Sequence, residues 1–119
     1  MTQEQKQLLF KDLCARLPYG VKYCRDSWNY EWDQEMSVVE TLEDIDKDGY
    51  INGTKVYKVW DIKPYLRPMS SMTEKEKEEE ENTVMMFLQD FYNARHLDYR
   101  GLIEKGLVLE APDGMYKTE

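Results

Sequence analysis

DIDKDGYINGTK, residues 44–55, admits two structures, and the choice between them decides whether the middle of the chain is helical or part of a sheet. Carboxylates at its first, third and fifth places and a glycine at its sixth spell a calcium loop, which in an EF-hand has helices on either side, although such loops also occur outside helical contexts. The same Asp and Gly residues also suit the turn of a β-hairpin. The flanks favour the second structure. YINGTKVYKVWDI (50–62) is rich in β-branched and aromatic residues, and Val38, Val39 and Thr41 suit a strand on the other side. KDGY lies between them as a turn signal, so the expected element is a hairpin of about 36–45 with 50–61.

The calcium alternative names its ligands. Asp44, Asp46 and Asp48 would supply side-chain oxygens, Tyr50 its carbonyl, and Asn52 a side-chain oxygen or a water. Nine positions resemble EF-hand and dockerin-type loops. Lys55 departs from them, placing a cation where a bidentate glutamate belongs. That leaves about five oxygens where calcium takes six to eight, unless Glu40, Glu43, Asp61 or water completes the shell. A calcium-responsive binding module therefore stands as the alternative function, with Ca2+ as its only candidate cofactor.

Outward from this stretch, residues 2–17 predict a helix. Thr2 and Gln5 have capping-box spacing, Leu9, Leu13 and Leu17 recur every four residues, and Pro18 stops the run. Tyr19, Val21 and Tyr23 then alternate with smaller or polar residues as a strand does. WNYEW repeats that period, so Trp28, Tyr30 and Trp32 share one face, either as core or as a stacking platform for a ligand. Pro64 and Pro68 make 62–72 an extended strap leading out of the sheet. Thr73 with Glu76 opens a second helix whose first turns, EKEKEEEE, are solvated. Val84, Phe87, Leu88, Phe91 and Tyr92 then form an apolar stripe along its continuation. Leu102 and Ile103 sit in a short turn closed by Gly106, and APDG (111–114) is another turn. The expected fold is α+β in a single domain, 1–119: an N-terminal helix, a small mostly antiparallel sheet, and a long C-terminal helix packed on it. An SH3-like barrel is the variant arrangement of the sheet.

The net charge of −8 is unevenly placed. Residues 26–48 hold nine acids and one lysine, and 74–81 hold six glutamates and two lysines, whereas 1–25 and 49–73 are basic by three charges each. No basic patch is strong enough for phosphate-backbone binding, so direct nucleic-acid contact is not expected, and anionic membranes are disfavoured alike. A basic protein partner suits this charge, and the 26–48 segment also suits mimicry of DNA. Cys14 and Cys24 form no CxxC pair and read as reduced, largely buried thiols. With no secretory h-region and no apolar span, a cytoplasmic location is expected. No catalytic or cofactor-binding residue is assigned. His96, with Asp98 nearby, is the one general-base candidate, and no nucleophile accompanies it.

LLFKDLCARLPYGVK (8–22), DIKPYLRPMSSMTEKEK (61–77) and FYNARHLDYRGLIEKGLVLEAPDGMY (91–116) resemble the recurring segments of a family of small uncharacterised proteins of gut Bacteroidales and their prophages or mobile elements. The resemblance covers about half the chain and omits 23–60. It implies a bacterial, phage-associated protein that acts by binding a host protein, and it carries no activity or site residue.

Overall fold

The structure is a computed structural model that describes residues 1–29 and 31–116, apart from the side chains of 27–29. Helix α1 (Gln3–Arg16) begins as expected. Thr2 accepts from the Gln5 amide while the Gln5 side chain accepts from the Thr2 amide, which satisfies two of the donors a helix start leaves open. Leu9 and Leu13 are fully buried on its inner face. Pro18 ends it in a 3-10 turn, and Gly20, with φ 69°, turns the chain into the sheet.

Four strands follow in the spatial order β2-β1-β3-β4: β1 (Lys22–Asn29), β2 (Gln34–Thr41), β3 (Lys63–Leu66) and β4 (Leu109–Glu110). β1 pairs antiparallel with β2 along all eight residues, from Lys22↔Thr41 to Asn29↔Gln34, and with β3 through Tyr23↔Pro64. β3 and β4 are parallel. The sheet is therefore mixed, and it is open rather than closed into a barrel.

The expected hairpin of 36–45 with 50–61 does not form, because β2 pairs with β1 instead. Its proposed second arm cannot be a strand: Asn52, Gly53 and Lys55 all have positive φ (48°, 69° and 58°), a conformation that curls the chain. Asn-Gly at 52–53 is a turn signal lying inside what had looked like β sequence. Only single bridges remain, Ile45↔Ile51 and Tyr50↔Lys58, and they fold 44–58 into a compact loop. WNYEW is likewise not one strand. β1 ends at Asn29, Trp32 lies in the following turn with 66% of its surface exposed, and Asp33 at φ 49° completes the reversal. Trp28 and Tyr30 lie outside the described side chains. The proline strap is extended only in its first half, where β3 is the third strand of the sheet rather than an exit from it, and a 3-10 turn follows at Met69–Ser71.

The long C-terminal helix is two short ones. Helix α2 (Glu74–Glu81) starts on the predicted Thr73–Glu76 capping box, and Asn82 ends it. Four consecutive glutamates at its end oppose the helix dipole and one another, which gives the helix no reason to continue. Val84 is extended, a 3-10 turn spans Met85–Phe87, and α3 (Leu88–Ala94) restarts the helix. Of the stripe expected there, only Phe91 is buried. Val84 and Phe87 are 62% and 55% exposed. Cys14 is exposed and Cys24 half-buried, so neither thiol is part of the core.

The core gathers Leu9 and Leu13 of α1 with Val21, Tyr23, Leu42, Ile51, Val59, Ile62 and Leu66, closed by Leu102, Leu107 and Val108. Two buried ion-pair systems frame it. Asp12 accepts from Arg16 (2.8 Å) and from Arg100 (3.0 Å), and Arg16 also donates to the Leu97 carbonyl. Arg67, just after β3, meets Glu76 of α2 in a two-pronged pair at 2.7 and 2.9 Å.

Candidate functional site

Three places bear on function: the 44–55 loop, the surroundings of His96, and the acidic surface of the β1–β2 hairpin. In the loop, three of the five expected ligands, Asp46, Tyr50 and Asn52, are turned to hydrogen bonds within the fold. Asp46 Oδ1 accepts from the amides of Asp48 and Tyr50, each at 2.9 Å, and its Oδ2 faces Lys55 Nζ at 3.2 Å. The Tyr50 contacts and Lys55 hold the Asp46 carboxyl below its ordinary range. The Tyr50 carbonyl accepts from the Asp46 amide. Asn52 points inward: its Oδ1 accepts from the Glu43 and Asp44 amides, and its Nδ2 donates to the Thr41 carbonyl and the Tyr23 hydroxyl.

Asp44 and Asp48 are exposed, and among the described residues no three His, Cys, Asp or Glu side chains converge as metal ligands. The residues present do not fit a calcium ion: Lys55 brings a positive charge to Asp46, and Asn52 and the Tyr50 carbonyl are already engaged. Gly49, at φ 92°, allows the chain to pass Trp60, whose ring would lie 3.4 Å from an added Cβ.

His96 is half-buried with a left-handed backbone (φ 60°), and its ring stacks on Tyr116 at 3.8 Å between centroids. Desolvation first, then the charges of Arg16, Arg67 and Lys22, push its pKa down to about 4. Its Nδ1 has no hydrogen-bond partner among the described residues. Asp98 does not orient it. Both Asp98 oxygens accept from backbone amides, those of Leu102 and Ile103, and so cap the following turn. Arg100 reaches Asp12 and the Tyr99 hydroxyl. The structure therefore separates the histidine from the carboxylate that sequence placed beside it.

The acidic segment lies on the surface. Of its nine acids, Asp26, Glu31, Asp33, Glu35, Glu43, Asp44 and Asp48 are exposed. The two half-buried ones, Glu40 and Asp46, pair with Arg25 and Lys55. β2 is the edge strand of the sheet, and its Met36 and Val39 are 39% and 50% exposed. An open edge of eight residues leaves a row of backbone donors and acceptors on its outer side. Carboxylates beside such an edge discourage a second copy of the same chain and favour a cationic segment.

Sequence reasoning missed Met85 and Met86, 83% and 76% exposed between α2 and α3. A signal was present. Val84–Met85–Met86–Phe87 are four consecutive apolar residues, which cannot all lie on the one inward stripe of a helix. No helix of the described residues is long and apolar enough to cross a membrane. No protein-family model, curated protein or solved structure matches the chain.

Proposed function

We propose that this chain is a non-enzymatic interaction protein that binds a basic protein partner through the acidic surface of the β1–β2 hairpin and the loop that follows it. The observation that carries this reading is the exposure of seven carboxylates within 26–48, beside the open edge of β2. Exposed carboxylates on one surface steer a cationic partner and repel like-charged ones. The edge then offers an extended basic segment a ladder of backbone hydrogen bonds, with Met36 and Val39 as apolar contacts. The resemblance to proteins of gut Bacteroidales and their prophages supplies the setting: a phage-associated protein that meets a basic host protein in the cytoplasm.

The test uses the chain as bait in a lysate of a gut Bacteroidales species at low and moderate salt. A second bait carries Asp26→Asn, Glu35→Gln, Glu43→Gln, Asp44→Asn and Asp48→Asn. The expected result is retention of one or a few basic proteins, weakened by salt and lost with the neutralised bait. Retention of nothing at either salt, or equal retention by both baits, counts against the reading.

A further inference from the structure

Val84, Met85, Met86 and Phe87 form an apolar turn that projects between α2 and α3, with exposures of 62%, 83%, 76% and 55%. Four consecutive exposed apolar residues cost solubility and contribute nothing to the core, and such patches mark interaction sites. This one is held in place. Behind it, Tyr92 of α3 donates to Glu80 of α2 at 2.7 Å, and Arg95 bridges to Glu79 at 2.6 Å. Thr83 Oγ1 donates to the Glu79 carbonyl, and the Phe87 amide closes the turn on the Val84 carbonyl. The turn is thus presented in one geometry before any partner arrives, which lowers the ordering cost of binding.

Charge selects the occupant. Residues 78–90 contain five acids and no lysine or arginine. Glu79 and Glu80 are engaged by Arg95 and Tyr92, whereas Glu78, Glu81 and Asp90, on either side of the turn in sequence, are exposed. A second copy of this chain would bring the same five acids against them, and an anionic membrane would be repelled likewise. The elements here are helices and a 3-10 turn with no sheet edge, so a partner gains no backbone ladder and must offer side chains. Two adjacent methionines suit that task, being unbranched and adaptable in shape.

We infer that the Val84–Phe87 turn, flanked in sequence by Glu78, Glu81 and Asp90, is a docking site for a basic amphipathic helix of a protein partner, whose apolar stripe covers the turn and whose lysines or arginines meet the carboxylates. This deepens the reading of the chain as an interaction protein and rests on it, while adding a surface separate from the β2 edge.

The probe is a fluorescently labelled 18-residue helix of leucine and lysine with one apolar and one basic face, followed by anisotropy. A control helix carries glutamate in place of lysine. The wild-type chain is expected to bind the basic helix and not the acidic one. Met85→Ser, Met86→Ser and Phe87→Ser together should weaken binding at least about tenfold, since each removes an exposed anchor at the centre of the contact. Because those residues are exposed, the variant should keep the wild-type circular dichroism and melting point. Glu78→Gln, Glu81→Gln and Asp90→Asn should weaken binding and flatten its salt dependence. Glu35→Gln on β2 with Glu43→Gln in the loop after it should change affinity by less than about twofold.

Failure of the basic helix to bind overturns this site, as does equal binding by the serine variant, and both leave the lysate test of the hairpin standing. Loss of binding only in the Glu35→Gln, Glu43→Gln variant moves the site to β2 and the loop after it and also overturns the inference. Self-association abolished by the serine substitutions overturns it too, by naming a second copy as the occupant.

Discussion

Glu76→Gln tests the pair that ties α2 to the sheet. Glu76 and Arg67 are almost fully buried, with 6% and 8% of their side chains exposed. Arg67 is the largest cause of the depression of the Glu76 pKa, from 4.5 to about 2, with the Thr73 cap adding to it against desolvation. A carboxyl whose folded pKa lies below its unfolded value contributes stability that is fully present above the unfolded pKa, here 4.5, and lost as pH falls through the folded one. A depression of that size corresponds to roughly 3 kcal/mol at pH 7. By the same linkage less than half of it remains at pH 3, one unit above the folded pKa of about 2.

Glutamine keeps the size and the capping geometry but removes the charge, leaving the Arg67 guanidinium buried against a neutral amide. Urea denaturation of both proteins at pH 7 and pH 3 measures the two gaps. The expected result is a variant less stable by roughly 3 kcal/mol at pH 7, with the gap narrowed by more than half at pH 3. A gap that stays the same between the two pH values refutes the reasoning, because a pure packing defect does not titrate.

Four further outcomes follow from contacts already described. His96 has a folded pKa of about 4, below its ordinary 6.5, so the unfolded chain binds more protons between those values and stability falls as pH drops through the window. The stability gap between wild type and His96→Asn, which tolerates the left-handed backbone, should therefore change across that window, and a constant gap in urea midpoints contradicts it. Asn52→Ala removes four hydrogen bonds and an αL-tolerant residue, and should cost about 2–3 kcal/mol in thermal or urea melts, with a loss under about 0.5 kcal/mol counting against its role. Gly49→Ala should cost more than about 1 kcal/mol through its φ of 92° and the nearby Trp60 ring, and a melt that matches wild type would remove that argument. Millimolar calcium added to metal-stripped protein should leave the melting point unchanged, whereas a rise lost in Asp46→Ala would restore the calcium reading.

Both capping boxes were legible because their geometry is set within three residues, and Thr2–Gln5 and Thr73–Glu76 form as their spacing implies. Strand pairing was less so. Three segments rich in β-formers precede residue 62, and composition does not say which two pair. The contact between β1 and β2 was decided by the short turn at 31–33, while Asn52-Gly53 bent the third segment into a loop. The break after Glu81 was foreshadowed by its run of glutamates, yet helical periodicity through Tyr92 masked it. That periodicity shows which residues share a face and not whether anything covers that face, so Val84 and Phe87 were expected inside. The acidity of 26–48 pointed correctly to a charged surface. The partners of Asp46 and Asn52, by contrast, are settled by backbone amides whose positions depend on the folded loop. Arg67 and Glu76 are nine residues apart across a 3-10 turn, and no periodic pattern links them.

The Asp12 network has a consequence for how the chain is made. Helix α1 buries a carboxylate and a guanidinium whose other partners are Arg100 and the Leu97 carbonyl, more than 80 residues further along. Tyr116 similarly joins the Lys22 amide to the Tyr65 carbonyl. During synthesis, at roughly 5–20 residues per second, the segment that becomes α1 therefore waits several seconds with those groups solvated and its leucines uncovered. Closure of this network waits for residues more than 80 positions further along the chain. The acidic segments 26–48 and 74–81 are translated in that interval, and copies of them repel one another.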